Sequence, residues 1–149
     1  MFIPQRPYFP DGPLRDALAY PESAAHYGDD ALRRALQAAQ LPARADRLDT
    51  PGAWNATLSG GERQRQAITR VLLKRPAWVF ADEATSALDG PTEQRLYTQL
   101  RALVQERGGA LVSVAHHDSV QAFHRTRWWL EPEGARVSVE PIAAQAGAA

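Results

Sequence analysis

The sequence predicts an α/β chain with a parallel sheet core, an inserted helical segment and a C-terminal hairpin, and three observations carry that prediction. Trp78-Val79-Phe80-Ala81 and Leu111-Val112-Ser113-Val114-Ala115 are largely apolar runs without alternation, the pattern of strands covered on both faces. Between them Leu96, Leu100, Leu103 and Val104 recur at helical spacing. Strand, helix and strand over residues 78 to 115 make a βαβ crossover, expected to be parallel and right-handed.

Taken in order, Phe2-Ile3-Pro4-Gln5 reads as a short strand end running into a loop, and the prolines at 4, 7, 10 and 13 exclude helix and central strand from that stretch. A short helix fits Pro13 to Leu18. A second fits Asp29 to Leu41, with Asp29 or Asp30 as N-cap, apolar Leu32, Ala35, Leu36 and Ala39 on one face, and Pro42 as its stop. Residues 42 to 57 carry Pro51-Gly52 and no periodicity, so they read as a connecting loop. Ser59 then caps a helix, with Glu62 at capping-box spacing and Ala67, Ile68, Val71 and Leu72 as the buried stripe, and Pro76 ends it. Asp82 and Glu83 follow the first core strand at its carboxyl end, where open α/β sheets place ligands.

Pro91 suits the first turn of the crossover helix and Gly108-Gly109 its end. The second core strand delivers His116 to the same sheet edge as Asp82 and Glu83. Beyond it, a short helix fits Ser119 to Phe123, and Trp128-Trp129-Leu130 with Arg136 to Val139 reads as a hairpin around Glu133-Gly134, the tryptophans serving its packing. Residues 141 to 149 are alanine-rich and expected to fray.

Composition narrows the function classes. The 17 basic and 17 acidic residues cancel, so no electrostatic footprint for nucleic acid or anionic lipid is implied. Cysteine is absent, which removes disulfides and thiol chemistry. The apolar runs are far shorter than the roughly 18 to 20 residues of a membrane-spanning helix. His26 and His124 stand in no metal-ligand spacing.

The chemistry concentrates at two places. Ser59-Gly60-Gly61 opens a helix, whose free amides and partial positive charge suit a phosphate, and glycine lets backbone approach closely. Asp82 at a strand tip can hold Mg²⁺ through water, and Glu83 points elsewhere and can polarise an attacking water as general base. His116 can donate toward a phosphate oxygen.

Leu58-Ser59-Gly60-Gly61-Glu62-Arg63-Gln64, the strand ending in Asp82-Glu83, and Ser86-Ala87-Leu88-Asp89 resemble, in that order, the signature motif, Walker B strand and D-loop of ABC-type ATPases. His116 is similar to the family's switch histidine, with His117 where arginine is usual, and Gln5 resembles the Q-loop glutamine. Ala81 stands where a bulkier aliphatic is usual. Pro7 to Arg15 is similar to the exporter-type branch that includes bacterial peptide and cobalamin importers and peroxisomal fatty-acyl transporters. The resemblance covers roughly residues 1 to 140.

The resemblance implies a partial P-loop NTPase domain over 1 to 140, with a helical subdomain near 13 to 75, a sheet core near 76 to 140, and a tail from 141 to 149. It implies ATP and Mg²⁺ as cofactors, with ATP contacts at Ser59, Gly60, Gly61, Glu62, Gln5 and Asp89. Mg²⁺ is implied at Asp82 and Gln5, and catalysis at Glu83 and His116. Implied partners are a membrane-spanning domain and a second ATPase domain in a head-to-tail dimer, at the cytoplasmic face of the inner membrane. The Walker A loop, G-x-x-x-x-G-K-[ST], is missing from these residues, because the single lysine, Lys74, has no glycines near it and Pro76 just after it. The expectation is therefore a C-terminal piece of an ATP-binding domain, inactive by itself, with Met1 inside a longer reading frame. A soluble ABC ATPase not linked to transport, and a non-catalytic remnant that binds an intact partner, are the alternatives.

Overall fold

Two strands and the helix between them form the centre of the molecule, and the reason lies in where their apolar side chains go. The computed structural model describes residues 1–130 and 137–142. In it β4 (Trp78–Asp82) and β5 (Ala110–Val114) pair in parallel across the crossover helix α5 (Gly90–Glu106). On the other side of β4, β1 (Phe2–Ile3) adds a parallel pair, Phe2 beside Phe80 and Ile3 beside Ala81, giving the order β1-β4-β5.

Val79, Ala81 and Ile3 turn inward and join a core built from Ile68, Val71, Leu96, Leu100, Leu103 and Val104. The opposite face carries Phe2, Trp78, Phe80 and Val114 at 45% to 59% exposure. The expectation of strands covered on both faces is thus corrected: β4 alternates in burial because helices pack on one face only. β5 is likewise half-buried rather than buried, since it lies at the sheet edge, and it ends at Val114, leaving Ala115 exposed outside it.

Preceding the core is the helical segment, α1 (Leu14–Ala19), α2 (Asp29–Ala38) and α4 (Gly60–Lys74). Gly28, not Asp29 or Asp30, is the N-cap of α2; the two aspartates occupy its first turn, where the positive helix end favours them. The helix stops at Ala38 rather than Leu41, because Gln40 turns left-handed at φ 62° before the proline. Residues 42 to 57 are more ordered than a loop. They hold a 3₁₀ turn at Pro42–Arg44, the strand β3 (Pro51–Gly52) antiparallel to β2 (Gly12–Pro13), and a single turn α3 (Trp54–Thr57). Trp54 Nε1 donates to the Gly12 carbonyl at 2.9 Å and fixes this corner. Elements of one turn or two residues are too short to leave a period in the sequence.

α4 is anchored by a buried guanidinium. Arg70 donates from Nε and Nη2 to the Ala17 carbonyl and from Nη1 to Tyr8, and lies 4.0 Å over the Phe9 ring. Burial pulls its pKa down to about 10, so it remains charged at neutral pH. Arg75, left-handed at φ 49°, ends the helix ahead of Pro76.

The C-terminal module begins with a 3₁₀ helix, Asp118–Phe123, and continues as the hairpin of β6 (Thr126–Leu130) and β7 (Val137–Pro141), with Trp128 opposite Val139. The expected turn at Glu133-Gly134 and Arg136 lie outside the described residues, as do residues 143 to 149. Pro141 ends β7 and the Ile142 N–H donates to the Arg125 carbonyl at 2.9 Å, so neither is frayed.

Candidate active site

Three neighbouring strands end at the same edge, and each delivers one side chain to a common point. Gln5 lies two residues beyond β1, Glu83 directly beyond β4, and His116 two beyond β5. Glu83 Oε2 accepts from Gln5 Nε2 at 2.5 Å, and Glu83 Oε1 faces His116 Nε2 at 2.8 Å. Glu83 holds this position in a left-handed backbone conformation, φ 46°, while its N–H donates to the Val114 carbonyl at 2.9 Å. The His116 side chain is 81% exposed, so the cluster opens to solvent.

Asp82, the last residue of β4, is half-buried beside this cluster and aligned with Val114. Among the described residues no group of three or more His, Cys, Asp or Glu side chains is arranged to hold a metal. Asp82 and the Gln5 amide oxygen, left free by the Nε2 bond to Glu83, fit a hydrated Mg²⁺, which keeps waters and takes few protein ligands.

The second locus is the start of α4. Ser59 Oγ accepts from the Glu62 N–H at 3.3 Å and donates to Glu62 Oε2 at 2.9 Å, while the Ser59 N–H donates to that same oxygen at 3.0 Å. The expected capping box is formed. The hydroxyl proton goes to Glu62, so the groups presented outward at this exposed corner are the backbone amides of the first turn. Arg44 Nη2 bonds Glu62 Oε1 at 2.7 Å, and this bond with the Ser59 N–H pulls the Glu62 carboxyl down to about 2.

The two loci are bolted together by Gln64, a residue of the motif to which the sequence assigned no role. Its Nε2 donates to the Glu83 carbonyl at 3.1 Å and to Ser86 Oγ at 2.9 Å, and its Oε1 accepts from the Ala87 N–H at 2.9 Å. The available signal was position: 64, 68 and 71 share the helix face that Ile68 and Val71 bury. Gly61 serves the same junction, since a Cβ there would meet the Ala87 carbonyl oxygen at 3.0 Å. Asp89 caps α5, accepting from the Thr92 N–H at 2.9 Å and Thr92 Oγ1 at 3.0 Å, bonds that hold its carboxyl below its ordinary pKa.

Residues 8–86, more than half the chain, match the family described as ABC transporter. The chain belongs to that family. It is 40% identical over 145 residues to an uncharacterized ABC transporter ATP-binding protein of Synechocystis sp., covering 95% of this chain and 21% of that protein. It is 36% identical over 134 residues to the lysosomal cobalamin transporter ABCD4 of Homo sapiens, covering 83% of this chain and 22% of the relative. A bacterial Atm1-family ABC exporter solved with ATP bound superposes with a TM-score of 0.70 at 32% identity, over 84% of this chain and 22% of the exporter chain. The chain therefore spans about a fifth of the length of these ABC transporter relatives. Its fold is the α/β fold of an ABC ATPase, with the parallel sheet and helices of that family.

Proposed function

We propose that these residues supply the closing and water-activating side of an ATP pocket that powers a membrane transporter. The observation that carries this reading is the meeting of Gln5, Glu83 and His116 on one carboxylate from three separate strand ends. In it Glu83 takes a proton from the attacking water, and His116 donates toward the terminal phosphate once released from Glu83. Asp82 and Gln5 hold Mg²⁺, which neutralises phosphate charge when bound. The amides at Gly60 and Gly61, with Ser59 and Glu62 forming the cap that holds them, close on a nucleotide gripped by a second ATPase domain in head-to-tail fashion, beside Asp89.

On this reading residues 1 to 140 are a partial nucleotide-binding domain, helical near 13 to 75 and sheet-based near 76 to 140, working beneath a membrane-spanning domain at the cytoplasmic face. No glycine-rich lysine loop occurs in these 149 residues, so by themselves they turn over no ATP. The test is a segment swap. Residues 1–149 replace the matching segment of a relative's ATP-binding domain, and Glu83→Gln is introduced. Turnover should fall about 100-fold or more while ATP stays bound; a swapped domain that keeps its rate with Gln at 83 refutes the assignment. Turnover by the unfused chain that Glu83→Gln abolishes would overturn the second statement.

A further inference from the structure

Glu93 is 2% exposed, and nothing in the chemistry above uses it. A buried carboxylate is costly unless its oxygens are bonded. Here they are. Oε2 accepts from Thr85 Oγ1 at 2.7 Å and faces His117 Nδ1 at 3.3 Å, and Oε1 accepts from Ser119 Oγ at 2.5 Å. The residue sits in the first turn of α5, where the helix dipole favours an anion, and its N–H donates to the Asp89 carbonyl at 2.9 Å. Burial pushes its carboxyl up, and the bonds from Ser119, Thr85 and His117 overcome that, so that it ionises below its ordinary pKa.

The partners come from two different loops. Thr85 stands two residues past Glu83; His117 and Ser119 stand one and three past His116. The same loops bring Glu83 and His116 to 2.8 Å of each other at the solvent-facing site. One buried anion thus spans, from beneath, the gap that the reactive pair spans from above.

We propose that Glu93 is a positioning residue, whose bonds to Thr85 on one side and to His117 and Ser119 on the other set the spacing between Glu83 and His116. The inference rests on the preceding section for what that spacing accomplishes, but the coupling itself is measurable without nucleotide. It also divides the labour of the adjacent histidines: His116 reaches the water-activating carboxylate, and His117 reaches the buried anchor. An ionised carboxylate only accepts hydrogen bonds, so a neutral His117 must carry its proton on Nδ1 and a neutral His116 on Nε2.

The experiment is ¹⁵N NMR of the imidazole rings in the full 149-residue chain at a pH of about 8, where an ordinary imidazole is neutral. The expected wild-type pattern is protonation of His117 at Nδ1 and of His116 at Nε2. Glu93→Gln, nearly isosteric and able to donate, should switch His117 to the Nε2–H form and shift the His116 ring signals as the spacing relaxes. Ser119→Ala removes one bond with little risk to folding and should shift His116 in the same direction; if Glu93→Gln unfolds the chain, this variant decides. Glu83→Gln should shift His116 and leave the His117 tautomer unchanged. An Nε2–H tautomer for His117 in the wild type overturns the proposal. So does a His116 signal that stays put in both Ser119→Ala and a folded Glu93→Gln. Should the couplings appear while Glu83→Gln leaves turnover of the segment-swapped domain intact, the positioning role stands and the catalytic reading falls.

Discussion

Glu62 shows how much one side chain at a helix start can be asked to do. It returns the hydrogen bond of the Ser59 cap and pairs with Arg44, and its carboxyl drops from 4.5 to about 2 as a result. A carboxylate depressed in the folded state stabilises at pH above its unfolded value, and that stabilisation drains away as pH falls through the folded value. Glu62→Gln keeps the cap, because glutamine also completes a capping box, and removes only the charge. It should cost about 1 to 2 kcal/mol near neutral pH, allowing for solvent screening of a partly exposed pair. That difference should vanish as the pH nears about 2; urea melts across the acid range check it, and a pH-independent difference contradicts it. The Ser59–Glu62 link was legible in the sequence because it spans three positions and needs only its own two residues. The partners of Gln64 and Glu93 were not, because they are 19 to 23 and 8 to 26 residues away, and helix position marks only the face on which Gln64 lies.

At the scale of elements, the junction of α5 with β5 is the least forgiving place in the core. Gly108 is left-handed at φ 64° and ends the helix. Gly109 then passes so close to the residue just ahead of β4 that a Cβ on it would lie 1.7 Å from the Ala77 carbonyl oxygen, the acceptor for the Ala110 N–H. Backbone rather than a flexible side chain stands in the way. Gly109→Ala should therefore destabilise by about 3 kcal/mol in chemical denaturation, and a loss below about 1 kcal/mol would show that the crossover yields. The glycine pair was readable as a helix stop, whereas its packing need was not, since that depends on β4. The same limit explains β4. Trp78-Val79-Phe80-Ala81 is apolar throughout, so alternation cannot be seen in its letters, and only the folded sheet reveals that Val79 and Ala81 alone are covered. Periodicity likewise found α2, α4 and α5, and missed β3 and α3, which are too short to have any.

Across the whole molecule, the dominant feature is the apolar sheet face of Phe2, Trp78, Phe80 and Val114. Contiguous exposed apolar surface drives association. The purified chain should self-associate at micromolar concentration, and Trp78→Lys with Phe80→Lys should shift it to monomer in sedimentation equilibrium without altering its helix content. A wild-type chain that sediments as a monomer would count against this. The backbone at Glu83 carries a different consequence. Left-handed conformation costs an ordinary L-residue about 1 to 2 kcal/mol and is far better tolerated by asparagine. Glu83→Asn should then raise the melting midpoint by about 3 °C even as it deletes the carboxylate, and a drop in the midpoint would show that the bonds to Gln5 and His116 outweigh the strain. With Glu83 in the water-activating role proposed above, heat tolerance and turnover pull this single position in opposite directions, and laboratory evolution under thermal challenge alone should discard the glutamate.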